Sequence, residues 1–301
     1  MEKIDIVIPW LNPTEKWYSE YKKYCENEDP CRVRDLNTMK YVLRGIEKYC
    51  PWVNKVVLLM YDEEQVPEWI NKDCSKLRIV YHRDFIPAEY LPNFNSCITS
   101  NFIHRIEGLT DVVCYMNDDM IFTKDIPLET YYKDDKAVHH PSYKKANWPV
   151  KPACPWHEII NTSFLFLKKI TGDSFSIDTR HMPMPIDINT MKFIWTKYKN
   201  DMENSCKNAR IRKPHSMTPE IFYAFNEKVK GCIFENVYDK IKTNPMWLSD
   251  KTTEEEIMKN LTTYHCVCLN DSEMLSKCDE MKCIITRCCE TILPNKCNFE
   301  K

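Results

Sequence analysis

Glycine is nearly missing from this chain: 4 in 301 residues, at Gly45, Gly108, Gly172 and Gly231, far apart. Phosphate-cradling loops of the GxGxxG or Walker type need clustered glycines, so dinucleotide folds of that kind and P-loops are excluded. Charge of one sign is missing too. The 42 basic and 44 acidic residues leave a formal net charge of -2, which gives no footing for a nucleic-acid binder working by bulk charge. Long apolar runs are lacking, and none approaches the roughly 18 residues of a membrane helix. The start, MEKIDIVIPW, lacks the long apolar stretch and cleavage site of a secretion signal.

What is present is 43% hydrophobic residues, enough for a folded globular chain with a substantial core. Cysteine is plentiful, with 16. Without a secretion signal these read as reduced thiols rather than a disulfide framework. The chain is therefore expected in the cytoplasm, either free or peripheral to the inner face of a membrane. Five cysteines fall in the last segment, Cys278, Cys283, Cys288, Cys289 and Cys297, with no zinc-ligand spacing. They read as small hydrophobes on an apolar helix.

The chemistry concentrates in Asp111–Phe122, DVVCYMNDDMIF. Its apolar opening predicts a buried strand. Asn117, Asp118 and Asp119 then interrupt it before Met120-Ile121-Phe122. Two adjacent acids between apolar runs are costly to bury unless something pairs them. At the carboxyl end of a strand they suit Mg²⁺ or Mn²⁺ together with substrate phosphates. The same three residues are also ordinary turn chemistry.

Strand-like runs at Ile4–Pro9, Lys55–Met60, Leu77–Tyr81 and Val112–Met116 alternate with helical patterns. Asp35 and Ser96 suit the caps of two helices, and Asp187 suits a third. This rhythm predicts an α/β fold with a mostly parallel, Rossmann-like sheet and helical additions. Residues following the strands, including Trp10, Leu11, Asn12 and His82, would gather along one carboxyl edge. Trp10 suits either a nucleotide base or the core. A single domain is expected, with an α/β half over 1–126, an irregular insertion or lid over 127–178, and a second half over 179–301. Arg180-His181-Met182-Pro183-Met184-Pro185 is a second focal point, a histidine in a proline-pinned stretch. An Asn-Asp pair recurs at Asn270-Asp271.

IDIVIPWLN, RDLNTMKYVLRGIEKYCPWVNKVVLL running on to LPNFNS, HRIEGL and YMNDDMIF, then RHMPMPID with RIR, and finally YHCVCLND stand in this order over residues 4–271. Together these blocks resemble the Stealth family of hexose-1-phosphate transferases. That family includes capsular polysaccharide phosphotransferases and a GlcNAc-1-phosphotransferase catalytic subunit. The resemblance implies a nucleotide-sugar transferase (GT-A-like) fold and transfer of hexose 1-phosphate from a nucleotide sugar such as UDP-GlcNAc. A glycan hydroxyl accepts it as a phosphodiester, and UMP is released. It implies His181 as general base, supported by Asp118 and Arg180. Asp118, Asp119, Asn270 and Asp271 would hold the metal. Asp5, Trp10, Asn12, Arg34, Asn95, Ser96, His104, Arg105, Arg210 and Arg212 would bind substrate.

The pattern departs from the family at Thr38 and Ser100, where acidic residues are usual. A conventional glycosyltransferase releasing a nucleoside diphosphate and a non-catalytic glycan binder are the alternative readings. Expected partners are the donor and a glycan acceptor, with no nucleic acid. A homo-oligomer or capsule-assembly partners also fit the resemblance.

Overall fold

The computed structural model describes residues 3–25, 30–139, 151–152, 154–172, 181–229, 231–235 and 241–301, with side chains of the helix at 220–229 described as far as Asn226. The strands are β1 (Ile4–Pro9), β2 (Val53–Met60), β3 (Leu77–Tyr81), β4 (Val112–Tyr115), β5 (Met120–Phe122), β6 (Tyr132–Lys133), β7 (Lys136–His139), β8 (Met184–Asp187), β9 (Ile233–Phe234), β10 (Thr243–Trp247) and β11 (Cys266–Asn270). The helices are α1 (Glu15–Tyr21), α2 (Met39–Tyr49), α3 (His82–Phe85), α4 (Ser96–Asn101), α5 (Pro155–Thr171), α6 (Ile188–Lys197), α7 (Lys199–Cys206), α8 (Glu220–Val229), α9 (Glu254–Thr263) and α10 (Cys278–Ile292).

The main sheet has the order β3-β2-β1-β4-β8. Its first four strands are parallel, and β8 returns antiparallel against β4. The expected α/β class and mostly parallel sheet are thus present. From β1 the chain moves outward to β2 and β3 on one side, and later to β4 on the other. The gap between the carboxyl ends of β1 and β4 is therefore a topological switch point, where open α/β sheets bind ligands.

Side chains of β1 bury both faces. Ile4, Ile6 and Ile8 pack with α2, β11 and α10, whereas Val7 packs with α4, α6 and α8. α2 closes on the sheet through Met39, Val42, Leu43 and Ile46. Gly45 lets it approach β5, since a Cβ there would stand 2.5 Å from the Phe122 carbonyl oxygen.

A second sheet, β10-β11-β5, begins where β4 ends. Asn117–Asp119 turns the chain from β4 into β5, which pairs antiparallel with β11. β11 in turn pairs parallel with β10, Asn270 opposite Trp247. The carboxyl ends of β1, β4, β10 and β11 therefore converge on one region.

Several expectations are corrected. Asp35 does not cap α2. Its carboxylate accepts from Asn37 N at 2.8 Å, and the N-cap is Thr38. Asn95, not Ser96, caps α4, through Cys97 N at 3.0 Å. Asp187 does cap α6, accepting from Thr190 N at 2.9 Å. The stretch 127–178, expected to be irregular, contains the 17-residue helix α5 with proline at its start, where the missing N–H costs nothing. The proline-pinned stretch at 181–187 runs into strand β8, and Pro185 is tolerated because β8 is an edge strand.

Candidate active site

Asp118 and Asp119 sit in the turn between β4 and β5, at the switch point. Both carboxyls are pushed above the usual carboxylate range. Burial is the main cause for each, and Asp118 is raised further by Asp119 and Asp35 beside it. Local bonds hold the turn. Thr38 Oγ1 donates to the Asp118 carbonyl at 2.8 Å, and Leu269 N donates to the Asp119 carbonyl at 2.9 Å. The Leu11 main chain, just past β1, and the Cys268 thiol oppose the rise of these carboxyls, the first at Asp118 and the second at Asp119. Asp119 Oδ1 is buried with no hydrogen-bond partner among the described residues.

His181 reaches the same place from the far side. β8 runs antiparallel to β4, so the residues just before it lie over the carboxyl end of β4. His181 adopts a left-handed backbone, φ 47°, a conformation that costs a non-glycine residue of order 1–3 kcal/mol and recurs at functional sites. It is close enough to Asp119 to oppose the rise of that carboxyl. Its ring meets Trp247 edge to face, with centroids 5.1 Å apart.

The third side is the end of β11. Arg34 grips Asp271 with two guanidinium nitrogens, Nε and Nη2, and Nη2 also donates to the Ser272 carbonyl at 3.1 Å. Asp271 thus meets the guanidinium, and expecting metal binding of Asp271 and substrate binding of Arg34 as separate roles misses this pair. Asn270 lies beside Trp247 and accepts from Leu248 N at 2.9 Å.

The fourth side is α4. Ser100 Oγ shares a 2.8 Å hydrogen bond with Tyr115 OH at the end of β4. One turn earlier, Ser96 Oγ accepts from Arg212 Nη2 at 2.7 Å, and the Arg212 guanidinium lies 5.1 Å over the Trp156 ring. Asn12 Nδ2 donates to the Gln65 carbonyl at 2.7 Å, linking the loops after β1 and β2. Trp10 is buried against Trp69 at 5.9 Å, its indole N–H without a hydrogen-bond partner among the described residues.

Other candidates stand elsewhere or are already engaged. Asp5 is at the amino end of β1, the opposite edge of the sheet. Its carboxylate accepts from Asn54 Nδ2 at 2.8 Å, Lys55 N at 3.1 Å and Thr110 N at 2.9 Å, so it staples strand starts away from the switch point. Asn95 is buried and engaged in the scaffold, its amide nitrogen reaching the Ala209 carbonyl and Ser216 Oγ, each at 3.0 Å. Arg210 rests on the Glu89 carbonyl at 3.3 Å. His104 and Arg105 line a separate groove with Tyr90, Phe102 and Trp195, on the approach to the amino end of β4. Burial lowers His104 to about 4. Arg180 lies outside the described residues.

Sequence reasoning missed Trp247 and Cys268. Trp247 ends a strand that has no clean alternation to signal it, and Cys268 lay hidden in the apolar run of β11. An aromatic at a strand end was the available clue to Trp247.

Residues 32–140 match the family model described as Stealth protein CR2, conserved region 2. Over this region the chain is similar to the Stealth proteins. The matched segment carries Arg34, Thr38, Ser96, Asp118 and Asp119, while His181, Trp247 and Asp271 lie beyond it. Over its full length the chain is 25% identical to the receptor polysaccharide phosphotransferase WefC of Streptococcus oralis, covering 100% of both. It is 28% identical to the capsular polysaccharide phosphotransferase fcs1 of Haemophilus influenzae, covering 74% of this chain and 70% of the relative. Among solved structures, an active-site mutant of LgtC overlays with a TM-score of 0.44 and 10% identity, covering 94% and 96% of the two chains. Mouse xyloside xylosyltransferase 1 overlays with a TM-score of 0.38 and 8% identity, covering 90% and 98%. The architecture described above rests on this chain's own strand order.

Proposed function

We propose that this chain transfers a sugar 1-phosphate from a nucleotide sugar to a hydroxyl of a glycan. The observation that carries this reading is the pair Asp118 and Asp119 at the switch point, with one carboxylate oxygen orphaned and His181 beside it. The relatives aligned over most of the chain are named as polysaccharide phosphotransferases, which supports the class.

The donor set suits a hard divalent cation. Mg²⁺ takes one or two carboxylates and completes its shell with substrate phosphates and water. Asp118 and Asp119 would hold it, and it would neutralise charge on the diphosphate. Among the described residues no cluster of three or more metal-ligating side chains forms, so substrate would have to supply the remaining ligands.

The chain's own residues account for the rest. His181 takes the proton of the acceptor hydroxyl, a role worth roughly 10²–10⁴-fold. The acceptor oxygen attacks the phosphorus bonded to the sugar, and the bridge between the two phosphoryl groups breaks. The bridging oxygen leaves with the nucleoside monophosphate, and the sugar remains joined through a phosphodiester. Arg212, oriented by Ser96 and Trp156, presents a guanidinium for phosphate oxygens on the α4 side. Arg34 is fixed by Asp271 and shapes the opposite wall. Positioning and electrostatics dominate such a transfer.

Nucleotide release tests the reading. The protein is incubated with UDP-GlcNAc, other UDP-hexoses or GDP-mannose, Mg²⁺ or Mn²⁺ and an oligosaccharide pool, and the nucleotides are resolved. Monophosphate that vanishes with EDTA and in His181→Ala is the expected result. Diphosphate would move the protein to conventional glycosyltransferases and void the role given to His181. Donor binding without release of either nucleotide would favour a non-catalytic glycan binder.

A further inference from the structure

Beside His181 the surface opens into a groove of about 530 Å³ between β10 and α9, within the size range of small-ligand sites. Its lining includes Met246, Trp247, Ser249, Lys251, Lys259 and Asn260. Trp247 is 53% exposed although it ends a strand. Met274, at 65%, is exposed at the same corner, where its carbonyl accepts from Asp250 N at 3.2 Å. No other large apolar side chains among those described are as exposed as these two.

Trp247 links the groove to the candidate active site. The Trp247 indole meets the His181 ring at 5.1 Å and 85°. The next residue, Leu248, is tied to the Asn270–Ser272 corner by two bonds, Leu248 N to the Asn270 carbonyl at 2.9 Å and Ser272 Oγ to the Leu248 carbonyl. Asp271, between those two residues, is the partner of Arg34. The indole is thus rigidly placed between the proposed base and open solvent.

We propose that this groove is the acceptor subsite, holding a pyranose ring of the glycan against the exposed face of Trp247. The inference rests on the transferase reading above. A sugar ring offers one apolar C–H face and a rim of hydroxyls. The groove offers an indole with hydroxyl, amide and ammonium groups around it, from Ser249, Asn260, Lys251 and Lys259. Aromatic rings with one wet edge suit such half-polar ligands. The two exposed lysines outnumber the one acid of the lining, Glu256, and so complement an anionic glycan, such as one already carrying a phosphodiester. A ring seated there places its reacting hydroxyl toward His181.

Kinetics of Trp247→Ala, with the acceptor found by nucleotide release, test this. The acceptor KM is expected to rise by at least about tenfold. The donor KM is expected to stay unchanged. Trp247→Phe should recover part of the loss, and Lys251→Ala/Lys259→Ala should raise KM more for a phosphorylated acceptor than for a neutral one. An unchanged acceptor KM in Trp247→Ala would overturn the proposal. So would an equal loss of donor affinity, which would assign the groove to the donor. If no donor is turned over at all, the transferase reading fails, and glucose and N-acetylglucosamine tetrasaccharides then test the groove by calorimetry. Binding lost in Trp247→Ala would uphold a sugar site there, and no binding to the unmodified protein would overturn it.

Discussion

Thr38 Oγ1 donates a 2.8 Å hydrogen bond to the main-chain carbonyl of Asp118. At the N-cap of α2 this hydroxyl would ordinarily serve the helix, yet it makes no capping bond there. It supports the acidic turn instead. A residue that departs from the family pattern thus has a definite task.

Thr38→Val keeps the shape and removes the donor. Leaving a part-buried carbonyl unpaired costs up to roughly 1–3 kcal/mol. Stability should drop by an amount in that range, and nucleotide release should fall with it, while Thr38→Ser retains both. Thermal melts and initial rates on the three proteins check this. Full activity in Thr38→Val would remove the task assigned to the hydroxyl.

Arg34 and Asp271 should behave as one unit. Because the guanidinium engages both carboxylate oxygens, Arg34→Lys should not substitute, as an ammonium has no such fork. A double-mutant cycle of Arg34→Met and Asp271→Asn should show coupling of about 0.5–3 kcal/mol. Additive losses would mean that the two side chains act independently.

Arg44 anchors the far end of the chain to α2. Its Nε and Nη2 bind the Glu300 carboxylate at 2.7 and 3.0 Å, and Nη1 reaches the Leu293 carbonyl at 2.7 Å. The two side chains are only 7% and 3% exposed. Glu300→Ala leaves the buried guanidinium with only the more exposed Glu290, 3.0 Å from Nη1, as counter-charge, so a loss of about 1–3 kcal/mol is expected in urea unfolding. Arg44→Met/Glu300→Leu together should lose much less.

Acid should destabilise the fold through His82 and His104. Burial lowers each to about 4, from an ordinary value near 6.5. Between those two values the unfolded chain binds protons that the folded chain refuses, so stability rises with pH across that window. Melting temperature should therefore fall on going from pH 7 to pH 5. His82→Gln/His104→Gln should flatten that slope, and an undiminished slope in the double variant would assign acid sensitivity elsewhere.

Much of the fold was legible because its signals are local. The apolar runs of β1, β2, β3 and β4, the stripe of α2 and the Asp187 cap are written within a few residues each. β8 was hidden by its proline, and β10 by half-buried positions that blur a period of two. α5 was obscured by the prolines and aromatics around its start. Asp118, Asp119 and His181 were legible as chemistry. The support that Thr38 and Cys268 give the turn was not, because they reach it from other parts of the chain, and Asp271 was grouped with the two acids without its partner Arg34. The place of Asp5 at the start of β1 already put it at the edge away from Asp118 and Asp119.

The bond between Arg34 and Asp271 spans 237 positions of sequence. Closing so long a loop is entropically slow, and contacts of that kind form late. The pocket is walled by the early half of the chain on one side and by the late half on the other. A nascent or partly folded molecule that has completed its first sheet would still lack the β11 wall and the indole beside His181. Catalytic competence would then be the last property the chain acquires, and a recovery of activity that lags behind the recovery of helix signal during refolding would record that order.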